Sequence, residues 1–221
     1  MLTQPTLYFL TDLKAHNDRD WFTANKSRYE AAYAEFTQFV QALIGEIAKF
    51  DRGIAHFTAK DCVFRIYRDV RFSKDKSPYK THFGAHVTAA PKKSEIHTRA
   101  GYYLHLEPGG TFLAGGAYLP ESNWLKAIRQ EIAYCTEEFE GILNNPDFSR
   151  YFGTLEGEKL KKLPGGYAAD HPAIEWLKHK SFLASHSCTD EQVLQPGFLQ
   201  HCAAVFGTLY PFDQFLNRAM D

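Results

Sequence analysis

No stretch of this chain is apolar for anything close to the ~18 residues that a bilayer-spanning helix needs, so an integral helical membrane protein is not expected. Cysteine is sparse and scattered: Cys62, Cys135, Cys188 and Cys202 form no Cys-x-x-Cys pair. Neither a disulfide framework nor a zinc ribbon fits that spacing, and reduced, buried thiols are the better reading. Residues 1–14 lack a basic leader ahead of their apolar positions and lack a small-residue cleavage site, so no signal peptide is expected and the cytoplasm is the expected compartment. An excess of charge of one sign is missing too. A formal net charge of -1 argues against a surface that attracts nucleic acid or membrane as a whole, so any electrostatic partner must be met by a local patch. There is no Gly-x-Ser-x-Gly and no Gly-x-x-x-x-Gly-Lys-Ser/Thr, which leaves triad hydrolases and P-loop enzymes without support.

What is present suffices for a core: 44% of the 221 residues are hydrophobic and 15% aromatic, which excludes a disordered or fibrous chain. Leu7, Phe9, Leu10 and Leu13 predict a short amphipathic helix ending near His16-Asn17, and Asn17 is placed to cap a helical turn carrying Trp21 and Phe22. From Ser27 onward, Tyr29, Ala32, Tyr33, Phe36, Phe39, Val40, Leu43, Ile44 and Ile47 recur at helical spacing, with Gly53 a plausible stop. The middle alternates as strands do, over 61–68, 83–89, 101–107 and 111–118, with Pro108-Gly109-Gly110 as a hairpin turn between the last two. A helix is then expected from Ser122 to Leu143, broken by Asn144-Asn145-Pro146. Asp170-His171-Pro172 opens a short helix, 181–185 is a candidate strand, and 196–220 holds one or two closing helices. Repeats, low-complexity stretches and linker-like runs are absent. The expectation is one α+β domain over 1–221, a mainly antiparallel sheet packed against N- and C-terminal helices.

The segment 64–82 carries most of the chemistry. Arg65, Arg68, Arg71, Lys74, Lys76 and Lys80 stand against Asp69 and Asp75, a local charge of +4 in a chain whose remainder is -5. Were the strand at 61–68 to continue, Arg65, Tyr67, Asp69 and Arg71 would share its polar face. Two arginines on one face can grip a phosphate or carboxylate through paired N–H donors. Arg65, Tyr67, Arg68, Arg71, Lys74, Lys76, Tyr79 and Lys80 are therefore the candidate ligand-binding residues for an anionic small molecule, with 73–80 as a covering loop. The plainer alternative is that Asp69 and Asp75 neutralise these cations in ordinary surface pairs. The same basic loops, joined by Lys159, Lys161 and Lys162 beside Gly165, Gly166 and Tyr167, would also suit a nucleic-acid-binding module.

His105 and Glu107 are the candidate proton-transfer pair on the polar sheet face, with His86 beside them if their strands are neighbours. Two imidazoles and a carboxylate could also hold a metal, but the spacing follows no recognised motif and none is expected. No cofactor is assigned. Gly115-Gly116, inside a strand, marks either close approach of a ligand or a bulge or tightly packed helix crossing. Asp170-His171 reads as a catalytic pair or, more simply, as a helix cap.

Taken together, Trp21-Phe22, Asn25-Lys26, Tyr29-Glu30, the run Arg-x-x-Arg-Asp-x-Arg-Phe-Ser-x-Asp-Lys-x-Pro-Tyr-Lys from Arg65, Leu106-Glu107-Pro108-Gly109-Gly110, Asp170-His171-Pro172 and Lys180-Ser181-Phe182 form a recognisable set. With them the chain resembles a bacterial family of conserved hypothetical proteins, domain of unknown function 2461, over nearly its whole length. The resemblance implies a full-length single domain and an intracellular bacterial-type protein, and it brings no activity, cofactor or catalytic residue.

Overall fold

Helix formation at the N-terminus follows the apolar spacing. The computed structural model describes residues 1–90 and 97–220. Helix α1, Gln4–Ala15, buries Leu7, Phe9, Leu10 and Leu13. Its exposed N–H end is met by a carboxylate from the long helix α3, Lys26–Ile47: Glu35 accepts from Thr3 N at 2.7 Å, Thr3 Oγ1 at 2.7 Å and Thr6 Oγ1 at 2.8 Å. Between them lies α2, Arg19–Ala24, capped by Asp18, which accepts from Trp21 N at 2.8 Å. Asn17 is therefore not the cap expected. Its amide instead pairs with the backbone of Tyr79 in both directions, at 3.0 and 3.1 Å.

One four-stranded antiparallel sheet runs in the order β1-β2-β3-β4, with β1 Phe83–Val87, β2 Gly101–Leu106, β3 Thr111–Ala117 and β4 Phe182–Cys188. Together with the helices it makes the fold α+β. The strand expected at 61–68 is absent. A capping box between Thr58 and Asp61 draws this stretch into a helical turn, α4, Ala59–Cys62. Beyond it the chain is extended but irregular, bridging β1 only at Val63–Ala85 and meeting 78–80 through Tyr67–Tyr79. Pro78 has no N–H to return the bond that its carbonyl accepts from Arg68 N at 2.9 Å, so regular pairing does not propagate past it.

The helix expected over 122–143 is two: α5, Ser122–Tyr134, and α6, Thr136–Leu143, separated by Cys135 at φ -115°. Asn144-Asn145-Pro146 ends one helix and starts another, α7, Pro146–Phe152, which the sequence reading missed. Asn145 caps it by accepting from Asp147 N and Phe148 N, with proline at its first position. Later come α8, Ile174–Leu177, α9, Asp190–Val193, and a single closing helix α10, Phe198–Arg218.

The chain divides into two compact units, each assembled from three stretches: Met1–Val87, Tyr103–Leu113 and Ser187–Ala203 in the first, and Thr88–Tyr102, Ala114–His186 and Ala204–Asp221 in the second. The first has a core in which Phe83 meets Phe36 at 5.4 Å and Phe9 at 6.3 Å between ring centres, with Phe39 against Phe198. The second is built on Trp124, Phe139, Phe148, Phe182, Phe212 and Phe215, all buried. Gly115 and Gly116 belong to this packing. A Cβ at Gly115 would fall 2.1 Å from a Leu209 methyl, and one at Gly116, where φ is +109°, would fall 2.0 Å from the Phe182 carbonyl oxygen. Tight packing, one of the two readings considered, accounts for both.

Candidate functional site

Alternation along β1 and β2 sends Phe83, Ala85, Val87, Leu104 and Leu106 to the core, and leaves His82, Gly84, Tyr103, His105 and Glu107 on the opposite face. There the residues of the first unit assemble a polar cluster. His105 lies between two rings, His82 at 4.1 Å and Phe112 of β3 at 4.6 Å, and is only 9% exposed. Its two nitrogens are both engaged, Nδ1 with Tyr103 Oη at 3.1 Å and Nε2 with Glu107 Oε2 at 3.2 Å. With a neutral ring, Nε2–H donates to the carboxylate and the Tyr103 hydroxyl donates to Nδ1. The other oxygen of Glu107 accepts from Thr81 Oγ1 at 3.1 Å and Lys14 Nζ at 3.2 Å.

The electrostatics follow from this packing. Burial pushes the His82 imidazole down to about 4, and neighbouring His105 adds to the effect. Burial also lowers His105, against the opposing pull of Glu107. Burial by itself would raise the Glu107 carboxyl, but hydrogen bonds from His105, Lys14 and Thr81 outweigh it and hold the group below its ordinary value. The Tyr103 phenol is pushed up to about 12, first by burial and then by Glu107. Near neutral pH the cluster thus combines two uncharged imidazoles, one carboxylate and a protonated phenol.

His105 and Glu107 meet, as the i, i+2 spacing suggested, and β1 and β2 are neighbours. The second imidazole is His82, however, and His86 stands four residues further along the same face, roughly 13 Å at strand rise. Gly84 holds the register between them. A Cβ there would sit 2.9 Å from Tyr103 Oη, so the phenol can lie across β1 only because this residue is glycine. That glycine, flanked at i±2 by His82 and His86, was the available signal for a ring lying across the strand. Lys14 and Thr81 come from distant or irregular backbone and had no signal in the sequence.

Most of the basic segment is occupied with itself. Arg71 forks onto Asp69, through Nε at 2.9 Å and Nη2 at 2.6 Å. Arg68 pairs with Asp75 and reaches Ser77 O at 3.3 Å, while Lys76 donates to Val70 O at 2.9 Å. The Asp69 carboxyl is accordingly held at about 2 by Arg71, and that of Asp75 lies well below its usual range through Ser77 and Arg68. Tyr79 is buried, stacked on Phe22 at 3.9 Å, and Tyr67 packs at 5.5 Å from Tyr79. Arg65 and Lys74 are exposed and form no salt bridge among the described residues. Lys80 connects the segment to the cluster: its Nζ lies 5.2 Å from the centre of the Phe64 ring, which packs 6.5 Å from Tyr103. The arrangement is therefore a folded basic loop bordering a His-His-Glu-Tyr cluster. The expected pairing of Arg65 with Arg71 is not formed, because Asp69 takes the Arg71 fork.

In the second unit, Gly165, Gly166 and Tyr167 line a cavity of about 560 Å³ with Lys126, Arg129 and His171. Arg129 is fixed there by donating to Leu177 O at 2.8 Å and His179 O at 3.0 Å. His171 accepts from Ala173 N at 3.1 Å, and no side chain caps α8, so the helix cap expected of Asp170 is not formed.

Comparison with known proteins gives one finding. The family model described as "Conserved hypothetical protein (DUF2461)" matches residues 5–215, and the chain belongs to that family. No curated protein and no solved structure matches it.

Proposed function

We propose that this family member binds a phosphate- or carboxylate-bearing small molecule over the His82, Tyr103, His105 and Glu107 face of its first unit, with His105 and Glu107 as the proton-transfer pair. The observation that carries this reading is the His105–Glu107 hydrogen bond at 3.2 Å, in a partly shielded cluster with Lys14 on its carboxylate and Lys80 along its edge. A partly shielded His-carboxylate pair can accept and return a proton, and flanking lysines favour an anionic substrate. Arg65 and Lys74 add cations that form no salt bridge among the described residues. The four cysteines form no disulfide, which suits the reducing cytoplasm as the place of action.

A thermal-shift screen with anionic metabolites tests the idea. A stabilising ligand should emerge, and the shift should vanish in Lys80→Ala and fall in Arg65→Ala. A broad screen without a hit, or an unchanged shift in both variants, removes the proposal.

One observation favours the nucleic-acid alternative. Phe72 is 96% exposed at the tip of the basic loop, with the Arg71 guanidinium 5.9 Å from its ring centre. An exposed ring among cations can stack on an unpaired base. If about four phosphates are neutralised, single-strand affinity should fall about 50-fold between 50 and 200 mM salt. Fluorescence anisotropy showing no binding, or salt-insensitive binding, rejects it.

A further inference from the structure

We infer that His82, His105 and Glu107 form a three-ligand site for a divalent first-row transition-metal ion. The inference concerns the site assigned above and rests on that face being the functional one, but the ion is deduced from the side chains alone. One ligand atom from each residue lies within 4.8 Å of the other two, and His105 Nε2 and Glu107 Oε2 are already 3.2 Å apart. Bonds of about 2.0–2.2 Å from a single ion place its ligands roughly 3–4 Å from each other. The His–Glu edge satisfies this as it stands, and the two edges to His82, each within 4.8 Å, need at most a small rotation of its side chain.

The surroundings are those a metal ligand set requires. Each ligating group should have its other polar atom held by a neighbour that fixes its orientation. For His105 that neighbour is Tyr103: on metal binding the imidazole proton moves to Nδ1 and donates to Tyr103 Oη, freeing Nε2 for the ion. For Glu107 it is Thr81 with Lys14, both on Oε1, which leaves Oε2 directed at the imidazole. Phe112 stacks on the far side of His105 and walls off one flank. A simple hydrogen-bonded His–Glu pair needs neither the second imidazole at 4.1 Å nor a carboxylate restrained at its far oxygen.

Two imidazoles and one carboxylate, with no thiolate, suit Zn²⁺, Fe²⁺, Co²⁺ or Mn²⁺ better than Mg²⁺ or Ca²⁺, which prefer all-oxygen sites. Three protein ligands also leave at least one position open, as in catalytic rather than structural metal sites. An anionic ligand could place an oxygen there, so the ion would anchor the phosphate or carboxylate that the lysines attract.

The test uses the full chain, stripped with a chelator and titrated with Co²⁺ and Zn²⁺ in the absence of any anionic ligand. Calorimetry should find one tight equivalent per chain, and Co²⁺ should give the visible absorption of an imidazole-ligated centre. His82→Ala and Glu107→Gln should each weaken binding by 100-fold or more. Tyr103→Phe, which keeps the ring and loses only the hydroxyl, should weaken it about 10- to 100-fold. Circular dichroism identifies any variant that fails to fold, and Glu107→Gln and Tyr103→Phe are the near-isosteric ones that decide. No tight equivalent, or one unaffected by Glu107→Gln and Tyr103→Phe, overturns the inference. Failure here with a positive anion screen would remove the metal and leave the anion site; the converse would keep the metal and remove the anion.

Discussion

At Gly84 a single missing side chain decides the geometry of the cluster. Gly84→Ala would place a methyl 2.9 Å from the Tyr103 hydroxyl, so the phenol must move and its bond to His105 lengthen. The expected cost is about 1–3 kcal/mol of overpacking, with a new pH dependence of ligand or metal binding because His105 loses its orienting partner. Urea unfolding and binding curves on the variant would measure both, and a wild-type-like profile would remove Tyr103 from the site. The same scale shows what the sequence could and could not reveal. Period-two alternation made the His105–Glu107 pair legible, because it needs only one strand. The choice between His82 and His86 depended on the register of β1 against β2, which no local pattern encodes. The thiols give a further prediction. Burial pushes Cys188 up to about 11 and raises Cys202 well above its ordinary value, whereas Cys135 is half-buried. Alkylation of the native protein at pH 8 should therefore mark Cys135 first, and peptide mapping that finds Cys188 or Cys202 labelled at a comparable rate would contradict this.

Among the elements, the legible ones were those whose apolar period runs uninterrupted: α1, α3 and the β2–β3 hairpin. The segment at 61–68 misled because its alternation is real while its backbone partners are not available. Thr58 and Asp61 turn its start into helix, and Pro78 lacks the donor that would continue a ladder. Its basic residues then took the plainer of the two readings at Arg68 and Arg71, whose acidic neighbours lie close enough in sequence to reach them once the chain folds back. Glu35 illustrates the opposite case, a tertiary contact with no sequence signature. Its carboxylate accepts three hydrogen bonds from Thr3 and Thr6 at the positive end of α1. Glu35→Ala should cost about 1–2 kcal/mol, the scale of losing a helix cap. Hydrogen exchange should show the loss concentrated in the first turn of α1, and unchanged protection there would show that Glu35 does not cap it.

For the molecule as a whole, the decisive quantity is the difference in bound protons between the folded and unfolded chains. His82 in the first unit and His179 in the second are both depressed by burial, His82 to about 4. His179 is 1% exposed and stacks on Phe182 at 5.5 Å. An unfolded chain protonates these imidazoles near their ordinary value of about 6.5, whereas the folded chain resists until lower pH. Between those limits the unfolded state holds more protons, so stability is complete above about pH 6.5 and falls as the pH drops toward 4. The carboxylates act lower down. Asp69 sits at about 2 in the folded chain, so the stabilisation from its pair with Arg71 persists above about pH 4 and is lost as the pH falls through 2. The melting temperature of chelator-treated protein should accordingly decline in two stages, a first from pH 6.5 to 4 and a second below it. His179→Phe keeps the stacked ring and removes one of the titrating groups, so it should make the first stage shallower, with His82 and His105 still contributing, while leaving the second in place. A first stage just as steep in His179→Phe would mean that His179 does not contribute to it, whereas a melting temperature constant from pH 7 to 4.5 would mean that these imidazoles are solvated in the folded protein, and with His82 the cluster around His105 would lose the shielding on which its chemistry depends.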